Sequence, residues 1–523
     1  MMAASWLKDA VFYEIYPQTF CDTNSDGIGD LNGITKKLPY VKSLGCNALW
    51  INPIYDSPFK DAGYDVRNYT KVASRYGTVE DLKNLLDTAH GMGIRVLLDL
   101  VPGHTSEEHP WFLRSSEEEE NEFYDRYIWT DNAFTRGDTM PFIGGEAPRN
   151  ATYIINYFKC QPALNFGYTK INEPNWQQPI DAPGPMATRE AMKDVMRYWL
   201  ALGVDGFRVD MADSLVKNDW PEKKGTMAVW KDITDSIRKE YPDAALVSEW
   251  NNPEQALNCG FDMDFYLDWY GNGYSSLLRD FQRDSKGNLT TPDNSYFKAT
   301  STRDMSRFLE DYLAPYEATK DKGLRCFITG NHDTSRPAPF LTDLERRLAY
   351  TFLFTMPGAP FLYYGDEIGM RYRWLPTKEG GYQRTGSRTP MQWNSSKNMG
   401  FSDAEKEMLY LPVDDAPDAP TVESQEADPS SMLHHMRRVI ALRHAEPDLQ
   451  SYSPFSVYSA EIGSRLFAYK RGELLLAVNP GQDTLNLALD RKYEAIFAIG
   501  DPSTKEKTAI LPPQSFLILK PIA

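Results

Sequence analysis

The chain has 523 residues, 41% hydrophobic and 25% charged, a make-up that suits a soluble globular protein with more than one domain. A formal net charge of −17 argues against nucleic acid or an anionic membrane surface as partner, and no apolar run approaches the ~20 residues of a membrane span. Five scattered cysteines (Cys21, Cys46, Cys160, Cys259, Cys326) without a CxxC pair point to free thiols, and with no apolar leader the expected location is the cytoplasm.

From Val11 to Phe20 an aromatic, apolar run reads as a strand. The loop after it, Asp22-Thr-Asn24-Ser-Asp26-Gly-Ile28-Gly-Asp30, places oxygen side chains at alternate positions with glycines between them. That pattern suits a single structural calcium ion, or magnesium in its place, held by Asp22, Asn24, Asp26, the Ile28 carbonyl and Asp30. A helix is expected from Ile34 to Ser43, a strand from Asn47 to Asn52, a Thr78-capped helix to His90 and a strand from Ile94 to Asp99. Strands alternating with helices imply a parallel sheet with crossover helices.

The rhythm stops between about 104 and 172, where aromatics and the Glu117 to Glu120 run show no helical period. It resumes with a helix from Arg189 to Ala201, a strand from Val204 to Asp210, a helix from Met227 to Glu240 and a strand from Ala244 to Glu249. A short strand from Phe261 to Tyr266 precedes a polar loop insertion at about 271–300, which includes Gly287-Asn. A helix from Thr302 to Tyr316, a strand from Arg325 to Thr329, a helix from Thr342 to Thr355, a strand from Ala359 to Tyr364 and a helix from Ser431 to Ala445 complete the alternation. Eight strands with helices between them make an α/β fold, a (β/α)8 TIM barrel. The barrel occupies 1–103 and 173–446, with an irregular inserted domain at 104–172 after the third strand. Short alternating strands from 447 to 523 read as a C-terminal all-β sandwich domain.

In such a barrel the reactive groups lie at the C-terminal ends of strands. Four ends carry a matching set: Asp99 to His104, Arg208-Val-Asp210, Ser248-Glu249-Trp250 and Asn331-His332-Asp333. Arg208 and Asp210 share one strand face, so the arginine should keep Asp210 ionised with a lowered pKa, as a nucleophile requires. Glu249 beside Trp250 should sit in a more apolar niche that raises its pKa, as a general acid requires. Two such carboxylates are the kit of a retaining glycosidase.

These segments resemble the ordered signature regions of the α-amylase family, glycoside hydrolase family 13, from about Val11 to Phe401. The resemblance implies Asp210 as nucleophile, Glu249 as acid/base and Asp333 as stabiliser of the transition state. It also implies that His104, Arg208 and His332 hold the sugar, that Tyr64 stacks on its ring and that Asp61 binds a terminal hydroxyl. Gln161-Pro-Ala-Leu-Asn165, Tyr363-Tyr-Gly-Asp-Glu367 and Arg388-Thr-Pro-Met-Gln-Trp393 are similar to the oligo-1,6-glucosidase, α-glucosidase and trehalose synthase branch. Arg384 or Arg388 is then expected to close the pocket at the non-reducing end. Gly103 and Ala163 stand where the family usually has oxygen donors for a calcium between barrel and inserted domain, so that ion is not expected here. Met211 leans toward α-1,4 bonds or serves as packing.

The resemblance implies a retaining α-glucoside hydrolase for short α-linked gluco-oligosaccharides. One alternative is a transglycosylase or isomerase of the trehalose synthase or sucrose isomerase type; another is a non-catalytic sugar-binding relative. Whether the chain works as a monomer or a homo-oligomer stays open.

Overall fold

The computed structural model describes residues 4–284, 288–379 and 384–522. Eight parallel strands run in sequence order around a barrel: β1 Phe12–Ile15, β2 Ala48–Ile51, β3 Arg95–Leu100, β4 Gly206–Val209, β5 Ala245–Ser248, β6 Met263–Phe265, β7 Leu324–Cys326 and β8 Phe361–Tyr363. β8 pairs with β1 on one side, and on the other the chain past β7 closes the ring through an Ile328 to Phe361 bridge. All eight strands were expected, but β1 is shorter than the Val11 to Phe20 run. Pro17, which lacks an N–H for the ladder, begins a 3-10 turn over Pro17–Thr19.

Gly206 shows why β4 starts as it does. A Cβ there would lie 1.9 Å from the Ala245 carbonyl oxygen, so only glycine lets β4 and β5 pair this closely. The residues delivered at their ends are Asp210 and Glu249.

The helices cover the barrel. α1 Leu31–Leu44 is capped by Asp30, α2 Val79–Gly91 by the reciprocal Thr78 and Asp81 bonds, and α6 Asp343–Thr355 by the same device at Thr342 and Glu345. α3 Pro183–Ala201 begins six residues before the expected Arg189, because Pro183 sits at the first helical position, where a missing N–H costs nothing. α4 Lys224–Glu240, α5 Ser306–Thr319 and α7 Met432–Ala445 fall close to the expected spans.

Residues 104–172 hold little regular structure: a short helix Pro110–Ser115 and one antiparallel pair, Phe142–Gly144 with Thr152–Ile154. Their small core is Ile128, Ile154, Ala163 and Tyr168. The polar stretch 271–300 contains a four-residue helix, Ser275–Leu278, and Gly287 lies outside the described residues.

Beyond residue 447 a five-stranded and a three-stranded antiparallel sheet face each other. In the larger sheet, β9 Phe455–Ser459, β10 Phe467–Arg471, β11 Leu474–Asn479 and the last strand Ser515–Pro521 are neighbours in that order. Phe467, Tyr469, Leu476 and Ile518 join the barrel's core, while Ala468, Leu475, Ala477 and Leu517 fill the space between the two sheets. Side chains of period 2 thus serve two cores, which explains the unbroken Leu474 to Val478 apolar run. Among the described residues no helix is long and apolar enough to cross a membrane, and all five cysteines are free thiols.

Candidate active site

β3, β4 and β5 bring their acids to one arginine. Asp99 lies directly across the ladder from Arg208, and the Arg208 side chain is buried beneath the mouth of the barrel. Its Nη1 donates to Asp99 Oδ1 at 2.7 Å and to Asp210 Oδ1 at 3.0 Å, and its Nη2 meets Glu249 Oε2 at 2.8 Å. One guanidinium therefore serves three carboxylates.

That sharing corrects the expected protonation of Asp210. Burial pushes its carboxyl up to about 7 against the pull of Arg208, and the charges of Asp99, Asp333 and Asp61 add to the rise. Glu249 is pushed up to about 8, again by burial first, with Asp210 and Asp333 adding and the Met211 N–H opposing. Asp99 rises to about 6 for the same leading reason. A single positive charge cannot hold three desolvated acids at ordinary values. Both acids are raised, Asp210 to about 7 and Glu249 to about 8, which suits the pair to hold a proton at neutral pH, as acid catalysis needs.

Asp333, at the end of the segment after β7, has the opposite environment. It accepts from Arg384 Nη1 at 3.1 Å and Arg388 Nη2 at 2.8 Å, with His332 Nε2 at 3.3 Å. Burial raises its pKa, but His332 and the two guanidiniums overcome that and hold it well below the usual carboxylate range. Arg384 also bonds Asp61, whose other oxygen accepts from Gln161 Nε2 at 2.7 Å. Arg388 is fully buried and runs behind Asp333 to the His332 carbonyl at 2.8 Å, to Tyr16 and to Glu379. Arg384 is thus the one of the two that closes a wall, and Arg388 braces Asp333 from behind.

Tyr64 lies over the same floor. Its hydroxyl donates to Asp99 Oδ2 at 2.9 Å, and its ring is parallel to His332 at 5.3 Å. His104 is buried and neutral, its pKa lowered to about 4 by burial, with Nε2 against the Tyr64 carbonyl at 3.1 Å. Its Nδ1 accepts from Asn156 Nδ2 at 3.1 Å. Asn156 in turn accepts at 3.0 Å from the Lys217 ammonium, which also reaches the Ser214 carbonyl at 2.7 Å. Lys217 so ties the barrel to the inserted segment beside Gly103, where a Cβ would meet Asn156 Nδ2 at 2.9 Å.

These residues surround a cavity of about 880 Å³. Asp61, Tyr64, His104, Asp210, Glu249, Asp333 and Arg384 line it, as do Gln161, Met211, Tyr157, Trp269 and Tyr270. Arg208, His332 and Arg388 stand behind the lining. The sequence offers no motif for Asn156, Lys217 or the aromatic rim of Tyr157, Trp269 and Tyr270; only the half-exposure of Trp269 (55%) and Tyr270 (64%) reveals the rim.

In the 22–30 loop, Asp22 Oδ1 accepts the N–H groups of Asn24 and Ser25 at 3.0 and 2.8 Å, and Oδ2 that of Gly27 at 2.8 Å. Asn24 and Asp26 repeat the turn toward Asp26 and Ile28. Asp30 accepts from Thr23 and from Gly33 N at 2.7 Å as the cap of α1. Among the described residues no three His, Cys, Asp or Glu side chains converge as a metal cluster.

A model of the α-amylase catalytic domain matches residues 14–451. The chain belongs to the α-amylase family. It is 34% identical to a trehalose synthase/amylase of Mycolicibacterium smegmatis, covering 84% of this chain and 76% of that one. It is 30% identical to a probable oligo-1,6-glucosidase of Bacillus subtilis, covering 90% and 89%. Among solved structures it is similar to a trehalulose synthase mutant in complex with Tris, at 26% identity and a TM-score of 0.81 over 99% of this chain and 100% of that one. The family member described here is a glycoside hydrolase with the barrel and terminal β-sheets its sequence implied.

Proposed function

We propose that the enzyme is a retaining α-glucosidase that removes glucose from the non-reducing ends of short α-linked gluco-oligosaccharides. The observation that carries this reading is the Asp61, Arg384, Asp333 bridge, which supports a blind pocket that a long chain could not thread. Asp210 attacks the anomeric carbon while Glu249 gives its proton to the departing oxygen; Glu249 then takes a proton from the water that cleaves the glycosyl ester. Asp333, held ionised by its arginines, faces the positive charge that grows on the ring. Product analysis over maltose, isomaltose, sucrose and trehalose tests it: free glucose released first as the α-anomer is expected. A β-anomer, or endo products from longer chains, would overturn it.

The aromatic rim favours a second reading, an isomerase that keeps the released sugar near the glycosyl-enzyme. Tyr157, Trp269 and Tyr270 line the cavity and stay partly exposed, which places aromatic rings where an acceptor sugar could stack. The named activities of the trehalose synthase and trehalulose synthase relatives are compatible with it. New disaccharides formed without free glucose would select this reading over the first.

The reading also includes a divalent cation, calcium or magnesium, on the loop formed by Asp22, Asn24, Asp26, the Ile28 carbonyl and Asp30. Carboxylate, amide and carbonyl oxygens alternating around tight turns suit a hard ion of mixed oxygen ligation. Such an ion would stiffen the segment between β1 and α1 and take no part in bond cleavage.

A further inference from the structure

Glu14 lies in β1 beneath the pocket, 0% exposed, and no step above uses it. Its Oε1 stands 2.9 Å from His332 Nδ1, and its Oε2 has no hydrogen-bond partner. His332 is stacked between Tyr64 and Tyr16, with ring centres 5.3 and 6.2 Å away.

One hydroxyl sets the direction of the hydrogens in this network. Tyr64 has a single hydrogen to give, and it goes to Asp99 Oδ2 at 2.9 Å, an oxygen that can only accept when Asp99 is ionised beside Arg208. The Tyr64 oxygen therefore accepts from His332 Nε2 at 2.7 Å, which makes Nε2 the nitrogen that carries hydrogen. The same N–H faces Asp333 Oδ2 at 3.3 Å. In a neutral ring Nδ1 is then a bare lone pair that takes one hydrogen; Asn52 Nδ2, 3.1 Å away, also donates to the Tyr64 hydroxyl oxygen at 3.2 Å, and Glu14 Oε1 lies nearer the lone pair. A carboxylate oxygen 2.9 Å from that lone pair would be repelled, whereas a carboxyl O–H would bond to it. The unpartnered Oε2 agrees, since a buried ionised oxygen without a donor costs far more than a carbonyl. Burial drives Glu14 well above the usual carboxylate range against Arg208 and Asn52, with Asp99 and Asp333 adding, and it drives His332 well below its usual value.

We propose that Glu14 is a positioning residue whose carboxyl group donates to His332 Nδ1, fixes the ring in its Nε2–H form, and so holds Tyr64 and Asp333 in place on the pocket floor. This rests on reading that pocket as the reacting site.

The test compares Glu14→Gln, Glu14→Leu and Asp210→Asn in the full chain with an aryl α-glucoside. Glutamine can still donate to Nδ1, so it keeps kcat within about threefold; leucine lowers kcat by about 10- to 100-fold with KM nearly unchanged. Leucine holding kcat within about threefold of the parent, or glutamine falling as far as leucine, overturns the proposal. Full activity in Asp210→Asn would instead defeat the reading of the site itself. If the leucine variant does not fold, nitrogen-15 spectra of histidine-labelled parent enzyme decide: hydrogen on Nε2 alone of His332 supports the proposal, and hydrogen on Nδ1 sinks it.

Discussion

Met211 donates its backbone N–H to Glu249 Oε2 at 2.9 Å from a left-handed backbone, with φ 42°. A non-glycine residue held in that region costs on the order of 1 kcal/mol and persists only where its surroundings impose it. Here it links the residue after the candidate nucleophile to the candidate acid, so the two strand ends keep one fixed relation.

That relation has a pH signature. Asp210 must be ionised to attack, so the rate rises as pH passes about 7; Glu249 must carry a proton, so the rate falls as pH passes about 8. The expected kcat/KM profile on a disaccharide is a narrow bell between those values. For an aryl α-glucoside whose leaving group needs no proton, Glu249→Gln should retain glycosylation and lose the alkaline limb. A profile flat from roughly pH 5.5 to 9.5, about two units either side of the expected optimum, would contradict the assignment.

Asp210→Asn should lower kcat by about 10³-fold or more while the unfolding midpoint stays the same or rises. The midpoint is expected to hold because the substitution takes a desolvated acid away from an arginine already serving two others. Single-turnover measurements with an activated fluoride donor would show whether any glycosyl-enzyme still forms, and its appearance at the parent rate would exclude Asp210 as nucleophile.

Arg384→Ala removes the wall between Asp61 and Asp333. kcat/KM for maltose is expected to fall roughly 10- to 100-fold, because a buried charge pair loses one partner. Longer maltooligosaccharides should lose less, since the opened end admits them. Equal losses for the disaccharide and for longer chains would show that Arg384 does not limit substrate length.

Chelation reads out the 22–30 loop. If the loop binds a divalent ion in the parent enzyme, EDTA should lower its unfolding midpoint by roughly 5 °C, with added calcium restoring it. Asp22→Asn should be insensitive to both, and kcat on an aryl α-glucoside well below the midpoint should be little changed. A parent midpoint indifferent to chelator and calcium rules the ion out.

Three acidic strand ends were legible in the sequence because barrel topology fixes where a strand's last residues point, whatever the loops do. Asp210, Glu249 and Asp333 therefore line one cavity as expected, while Asp99 joins them from below as an acid the sequence did not single out. What could not be read was how much water each would keep. Arg208 next to Asp210 suggested a lowered pKa, but two further acids arrive from elsewhere in the chain and divide the same charge. Arg384 and Arg388 look alike in sequence, four residues apart, and only packing sends one into the cavity and the other behind Asp333. Glu14 and Lys217 were invisible for a similar reason. Each is a single polar residue in an ordinary setting, and its meaning comes from a partner more than sixty residues away. At Pro17 the backbone overruled the apolar pattern, which carried the expected strand too far.

The strands that serve both the barrel's core and the terminal sandwich bear on how this enzyme can be rebuilt. Phe467 and Tyr469 pack on Phe352 of α6 at 6.2 and 5.7 Å, so the tail is a plank of the barrel's own hull. Swapping that module for a relative's would demand a matched contact surface, not merely a splice point. Protease nicking near residue 450 should yield precipitate in place of a trimmed catalyst.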